Sequence, residues 1–239
     1  MKRFIKKYIP ISMLDFFNKA KYSRQKSRFK GMTPEGVFSY IYENNIWGSA
    51  ESKSGQGSTL ELSSNAILMM NLIIKEYPVK SILDIPCGDF NWMQKVDLTG
   101  IKYLGCDLVA DLISSNTQKY ATEQIQFQQL DIINEEIPSA DLIVVRDCFV
   151  HFSYEHINQA IENIKHSGSK YILLTTFSNQ HLNYNITTGD WLPINLQKKP
   201  FNFPEPLSIM NEYCPSEFEI ENRGKSLALW QVSDLAALR

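Results

Sequence analysis

From residue 81 onward the chain alternates short apolar runs with segments whose apolar positions recur every three or four residues. The runs at 81–85, 102–107, 125–130, 141–146 and 170–177 read as strands, and 111–120 and 154–167 as helices. Leu142-Ile-Val-Val145 is apolar at every position, which marks a strand covered on both faces and hence a parallel sheet flanked by helices. Ser153 caps the helix at 154–167, and Ile157, Ile161 and Ile164 share one face of it. Upstream, Thr33-Pro34-Glu35 combines a cap, a first-turn proline and an acid, opening a helix that ends near Asn44-Asn45. Ser58 with Glu61 reads as a capping box for a helix reaching about Tyr77, with Ala66-Ile-Leu-Met-Met70 inside it. The last two strand-like runs, 217–222 and 226–233, flank Asn222-Arg-Gly224 as a hairpin would, so the sheet is expected to end antiparallel.

Three stretches break the pattern. Residues 1–30 read as a basic arm ahead of a single domain at 31–239. The segment 48–58 is a loop of small and hydroxyl residues. Residues 178–213 contain Pro193, Pro200, Pro204 and Pro206 together with Trp191, Phe201 and Phe203. A loop that long inside a compact domain is usually functional, so it is expected to shape a substrate pocket; simply covering the sheet is the alternative.

Charge sharpens this division. Residues 1–30 hold ten Lys and Arg and only Asp15, whereas 31–239 hold fourteen basic against twenty-five acidic residues. An acidic body argues against a groove that tracks nucleic-acid phosphates. The arm interleaves its cations with Ile5, Tyr8, Ile9, Leu14, Phe16, Phe17 and Tyr22. That composition suits peripheral contact with an anionic membrane, and a solvated helix or dimer arm is the other reading. Pro10 and Asp15 break its apolar run, so it does not read as a signal peptide, and no run of about 18 apolar residues exists to span a membrane. Cys87, Cys106, Cys148 and Cys214 form no C-x-x-C pair, so no metal site is expected, and buried thiols in a reducing cytoplasm are.

The candidate chemistry sits where the first strand stops, in Ser81-Ile-Leu-Asp-Ile-Pro-Cys-Gly-Asp-Phe-Asn-Trp92. Gly88 permits a ligand to approach the backbone closely. Asp84, Asp107 and Asp131 each fall at the carboxyl end of one of three consecutive strands, the edge where ligands sit in such sheets. A carboxylate after the second strand suits two ribose hydroxyls, and one after the third suits an adenine amine. A dinucleotide site would need G-x-G-x-x-G to seat pyrophosphate on a helix N-terminus, but this turn has one glycine flanked by Asp84 and Asp89. That charge pattern fits a cationic ligand, and S-adenosylmethionine carries a sulfonium, an ammonium and no phosphate.

On these residues the chain resembles the class I S-adenosylmethionine-dependent methyltransferases, over roughly 59–177 and weakly over the C-terminal hairpin. The resemblance implies a Rossmann-like seven-stranded methyltransferase sheet. The finer motifs Asp84-x-Pro-Cys-Gly-Asp-x-x-Trp-Met93, Arg146-Asp-Cys-x-Val-His151, Thr188-Gly-x-Trp191-x-Pro-x-Asn-Leu-Gln197 and Phe203-Pro-Glu-Pro206 look like those of bacterial methyltransferases of surface-polysaccharide clusters, including those that O-methylate capsular phosphoramidate. By that resemblance Asp107 and Leu108 meet the ribose, and Asp131 and Ile132 the adenine. Asp84, Pro86, Cys87 and Gly88 lie against the methionine part. Arg146 and Asp147 lie near the transferred methyl, while Trp47 and the Ser49–Ser58 loop either close over the amino-acid end or serve as a structural lead-in to the helix.

Asp147 and His151 form the sharpest catalytic pair. If the chain turns helically after the fourth strand, their spacing puts both on one face, with Asp147 orienting His151 as general base toward an acceptor hydroxyl. Packing of His151 beneath the following helix is the alternative. Asp89, Trp92, Asp190, Trp191 and Asn195 are the candidate acceptor contacts, Trp191 either as a stacking face or as a loop anchor. The fourth strand ends in Arg146-Asp-Cys-Phe149, unlike the Asn/Asp-Pro-Pro-aromatic motif of enzymes that methylate nucleic-acid amines. The expected acceptor is therefore a sugar or phosphoramidate-type small molecule, free or linked to a nucleotide or lipid. A nucleotide-dependent oxidoreductase and a cofactor-binding pseudoenzyme are the rival functions.

Overall fold

The structure, a computed structural model, describes residues 27–212 and 224–235. Among these, the apolar runs become β1 (Ser81–Asp84), β2 (Lys102–Asp107), β3 (Ile125–Gln129), β4 (Leu142–Val145) and β5 (Tyr171–Phe177), followed by β6 (Ser208–Asn211) and β7 (Lys225–Gln231). They form one sheet in the order β3-β2-β1-β4-β5-β7-β6. The first five strands are mutually parallel, and β7 runs antiparallel to both β5 and β6. Because β1 pairs with β2 on one side and β4 on the other, the connections leave β1 and β4 in opposite directions. A crevice opens at their carboxyl ends, and this is what positions the site.

Period-two alternation sorts the buried side chains into two layers. Ile82, Leu142, Val144, Leu173, Leu227 and Leu229 face one way, with Ala66, Met69, Met70 and Ile73 of helix α2 (Ser64–Glu76). Leu83, Ile143, Val145, Ile172, Leu174, Ala228 and Trp230 face the other, with Ile157, Ala160, Ile161 and Ile164 of helix α4 (Tyr154–His166). Each isoleucine of α4 is fully buried, a burial that contributes about 1.5–3 kcal/mol per side chain. The α4 start is as expected, with the Ser153 hydroxyl accepting from the His156 amide. Helix α1 (Pro34–Glu43) is likewise capped, Thr33 Oγ1 accepting from Gly36 N, and buries Val37 and Ile41 against Phe29. Helix α3 (Ala110–Tyr120) packs along β2 and β3.

Two expectations need correction. The helix before β1 begins at Ser64, and Ser58 makes no capping box with Glu61. Ser58 instead ends a single 3-10 turn, Gln56–Ser58; its amide donates to Gly55 O at 3.1 Å rather than to Glu61, and Thr59 is extended, so no helix starts there. Within 178–213, the pattern-free segment contains β6, the antiparallel edge partner of β7. Its four residues follow Pro204 and Pro206 and leave Ile209 exposed, so they carry little strand signal. The run 217–222, Asn222-Arg223 of the expected turn, Cys214 and residues 1–26 of the basic arm lie outside the described residues. Among the described residues no helix is long and apolar enough to cross a membrane. Cys87, Cys106 and Cys148 are free thiols in the interior.

Candidate functional site

At the carboxyl edge, β1 gives way to a turn rather than to a helix; only a 3-10 turn, Met93–Lys95, separates it from β2. Gly88 has φ +55°, and a Cβ there would fall 2.2 Å from Ser54 Oγ, so conformation and space both require glycine. Its N–H donates to Asp107 Oδ2 (3.1 Å), and Asp107 Oδ1 accepts from Val109 N (3.1 Å). Asn116, buried on the inner face of α3, donates to Gly88 O at 2.7 Å and holds the turn from below. Burial pushes the Asp107 carboxyl up to about 6 despite the amides of Val109, Gly88 and Leu108.

Asp89 turns away from the crevice and fastens residues 52–54 across it. Its carboxylate accepts from Ser52 Oγ (3.0 Å), Lys53 N (2.7 Å) and Ser54 Oγ (3.3 Å), and the Asp89 amide donates to Ser54 Oγ (2.9 Å). Asn91 donates to Glu51 Oε1 and Ser58 O, and Arg146 donates to Gly57 O at 2.7 Å. The hydroxyl-rich loop is thus a strap anchored at three points over the strand ends.

Beneath the strap lies a cleft of about 320 Å³. Its wall includes, of the residues expected from sequence, Trp47, Ser58, Pro86, Cys87, Gly88, Trp92, Asp107, Leu108, Asp131, Ile132, Arg146, Asp147, His151 and Trp191. Four others lie off that wall. Asp84 is buried under the floor, bonded to the Tyr103 hydroxyl at 2.7 Å, and burial pushes its carboxyl up to about 7. Asp89 is the strap anchor just described. Asn195 is buried in the long loop, where its amide donates to Gln180 O and its Oδ1 accepts from Gln197 N. Asp190 accepts from Ser27 Oγ and borders a neighbouring hollow that shares Trp47, His151 and Trp191 with the cleft. Of the long loop, only Trp191 reaches the main cleft, edge-on to Phe177 with ring centroids 6.1 Å apart, while Leu192, Ile194, Leu196, Phe201 and Phe203 are core. Asp131 lines the cleft with its carboxylate engaged by Ile133 N and Asn134 Nδ2.

The expected Asp147–His151 pairing is corrected by the backbone. Asp147 adopts φ +54°, which directs its carboxylate to Lys225 Nζ (2.6 Å) on β7, with Arg146 Nη1 at 3.6 Å. Burial raises the Asp147 carboxyl, but Lys225 and Arg146 outweigh it and hold it at about 2. His151 ends a 3-10 turn, Phe149–His151, and its Nδ1 lies 3.0 Å from Asp190 O. A carbonyl only accepts, so Nδ1 carries the hydrogen and Nε2 the lone pair. Burial holds the imidazole below its usual range, against the Asp190 carbonyl and Asp147, with Lys225 acting in the same direction as burial.

Lys225 and Glu212 escaped the sequence reading. Glu212 is buried, pairs with Arg146 Nη2 and lies 3.4 Å from Lys225 Nζ, closing a neutral quartet with Asp147. Arg146 also places its guanidinium 5.2 Å over the Trp92 ring. Lys225 had one legible signal: it opens the last strand, and sheets of this order lay that strand beside β5. Asn116 had another, as a polar residue on the apolar stripe of Leu112 and Ile113.

No family model and no curated protein matches the sequence. Solved structures do match the fold. One is Burkholderia thailandensis 1,6-didemethyltoxoflavin-N1-methyltransferase with its namesake compound and S-adenosylhomocysteine (TM-score 0.60, 11% identity, covering 82% of this chain and 86% of that one). Another is the N-methyltransferase NodS of Bradyrhizobium japonicum with S-adenosylhomocysteine (0.59, 11%, 81% and 97%). A third is human N-acetylserotonin methyltransferase with S-adenosylmethionine (0.59, 12%, 89% and 64%), of whose length this chain spans less than two thirds. The likeness identifies the architecture: this chain has the class I S-adenosylmethionine-dependent methyltransferase fold.

Proposed function

We propose that the protein transfers a methyl group from S-adenosylmethionine to an oxygen of a small polar acceptor, a sugar or phosphoramidate-type group used in a surface glycan. One observation carries the choice of cofactor. The Gly88 and Asp89 amides, which a pyrophosphate would need, are already bonded to Asp107 and Ser54, and no α-helix N-terminus follows β1. Asp107 on the cleft wall and Asp84 beneath it border the turn, a setting that tolerates a cation and repels a phosphate. This separates the reading from a nucleotide-dependent oxidoreductase.

The residues present fit the cofactor. The Gly88, Val109 and Leu108 amides engage three of the four lone pairs of the Asp107 carboxylate, which leaves one to accept from a ribose hydroxyl. Gly88, stripped of a side chain and pinned by Asn116, lies against the methionine part, with the strap above it. Leu108, Asp131 and Ile132 line the cleft together and would flank the adenine. When bound, S-adenosylmethionine supplies an electrophilic methyl on its sulfonium. His151 Nε2 takes the proton of an acceptor hydroxyl while Asp190 O holds the ring by Nδ1. Trp47, 5.1 Å from the His151 ring, keeps the imidazole in place. Holding nucleophile and methyl in line is worth up to about 7–11 kcal/mol in well-oriented systems.

The glycan assignment rests on the resemblance of the Asp84–Met93, Arg146–His151 and Thr188–Gln197 motifs. Residues 1–30 would bring the enzyme to the cytoplasmic membrane face, where lipid-linked glycans are built; co-sedimentation with anionic vesicles, with and without those residues, tests this. The reaction is tested by incubating the protein with S-adenosylmethionine and a set of nucleotide-linked sugars and phosphoramidates. S-adenosylhomocysteine release with one of them supports enzyme action. Cofactor binding without release on any acceptor supports the pseudoenzyme reading instead.

A further inference from the structure

The long loop was the expected source of acceptor contacts, yet it brings only Trp191 to the main cleft. The polar atoms opposite come from the ends of β4 and β7. Asp147 and Lys225 line the cleft with side chains 27% and 11% exposed, while Arg146 and Glu212 beneath them are 3% and 2% exposed. A lysine ammonium has three N–H groups; Asp147 Oδ2 takes one at 2.6 Å and Glu212 Oε2 a weaker one at 3.4 Å. Asp147 Oδ1 receives only a long contact from Thr175 Oγ1 at 3.4 Å. The pair therefore keeps one strong donor and one strong acceptor, side by side. Its geometry is locked by a left-handed Asp147 and by the close passage of the strap. A Cβ on Gly57 would fall 2.9 Å from Asp147 Oδ2.

Buried ion pairs are a poor device for stability alone, and a non-glycine residue held at positive φ costs energy at a site. The charged residues on the cleft wall are Lys53, Arg146 and Lys225 against Asp107, Asp131 and Asp147, so the cleft offers an anion no net attraction. Asp147, Lys225 and His151 line the same cleft, so the pair and the proposed base face one space. Trp191, 37% exposed and braced by Phe177, presents an indole face as a stacking surface for a ring.

We propose that the Asp147–Lys225 pair is the acceptor-recognition element and that it selects a neutral vicinal diol, as on a pyranose ring, over an anionic phosphoryl acceptor. Asp147 Oδ1 accepts from one hydroxyl, Lys225 Nζ donates to its neighbour, and His151 faces the hydroxyl to be methylated. The inference rests on the methyltransferase reading and narrows its acceptor.

The test uses the full chain, S-adenosylmethionine and a panel of methyl hexopyranosides, their monodeoxy counterparts and the matching sugar phosphates. Saturation-transfer NMR reads binding and S-adenosylhomocysteine release reads turnover. The wild type is expected to bind a glycoside with the diol at least tenfold more tightly than the counterpart lacking either hydroxyl. Lys225→Arg keeps the ion pair while reshaping the donor. It is expected to retain S-adenosylmethionine affinity within threefold and to raise acceptor KM at least tenfold; Asp147→Asn should do the same. Equal binding of diol and deoxy glycosides, preference for the phosphates, or unchanged acceptor KM in Lys225→Arg overturns the recognition role while leaving cofactor binding intact. Failure of the wild type to bind S-adenosylmethionine overturns the underlying reading, and the proposal falls with it.

Discussion

Trp47 and His151 lie with ring centroids 5.1 Å apart and planes inclined at 35°, although 104 positions separate them in the chain. The contact joins the turn that follows α1 to the turn after β4, and Asp190 O completes the clamp on the imidazole. A histidine held on a face and at one nitrogen, with the other nitrogen carrying the lone pair, is the arrangement that the proposed role of base requires.

His151→Ala should therefore reduce kcat by about 10²–10⁴-fold and leave S-adenosylmethionine affinity within a few-fold of wild type. Because burial holds the imidazole below its usual range, the neutral form prevails at neutral pH. The rate should be flat across neutrality and fall only as pH drops through that lowered pKa. Stopped assays of S-adenosylhomocysteine release against pH check both points; near-normal turnover in the variant removes His151 from the chemistry.

Asp89 is the strongest anchor of the strap, so Asp89→Ala should free residues 52–54 without disturbing the core, while Arg146 and Asn91 still hold Gly57 and Ser58. The S-adenosylhomocysteine dissociation rate is expected to rise at least tenfold, with faster amide exchange confined to the strap. Unchanged dissociation would mean that the strap does not retain the cofactor.

Asp84 sets up a pH effect with an unusual sign. Its folded-state carboxyl is raised to about 7, above an unfolded value of about 3.9, so the folded protein holds the extra proton between those limits. The charged group is a destabilising element above the folded value, and this is relieved as pH falls. Asp84→Asn keeps an acceptor for the Tyr103 hydroxyl and should raise the melting temperature relative to wild type at pH 8, with the difference shrinking as the pH falls below about 7 and gone only below about 3.9. A variant less stable than wild type at pH 8 contradicts this account.

Much of the fold was legible because the sheet centre follows simple rules. β1, β2, β4 and β5 are short apolar runs, and α1 and α4 start at Thr33 and Ser153, whose side chains make the expected caps. Local rules failed where distant residues intervene. Asn91 and Arg146, from beyond β1 and β4, hold the carbonyls of Ser58 and Gly57 in the strap, and β6 finds its partner in β7, after residues 213–223. The same division holds at the site. The wall residues at strand ends follow from topology, as Asp107 and Arg146 do. The partner of Asp147 does not, because a positive φ and a lysine 78 positions away decide it. Asp89 was legible as a residue of the turn, but its direction depended on serines 35 and 37 positions upstream.

The central claim, that this turn and Asp107 hold a sulfonium cofactor and not a dinucleotide, is tested most directly by calorimetric titration. S-adenosylmethionine and S-adenosylhomocysteine should each bind at one site, NAD and NADP should give no binding heat, and Asp107→Ala should abolish the former while the protein remains folded. Binding of a dinucleotide more tightly than S-adenosylhomocysteine, or cofactor affinity unchanged in Asp107→Ala, would contradict the account.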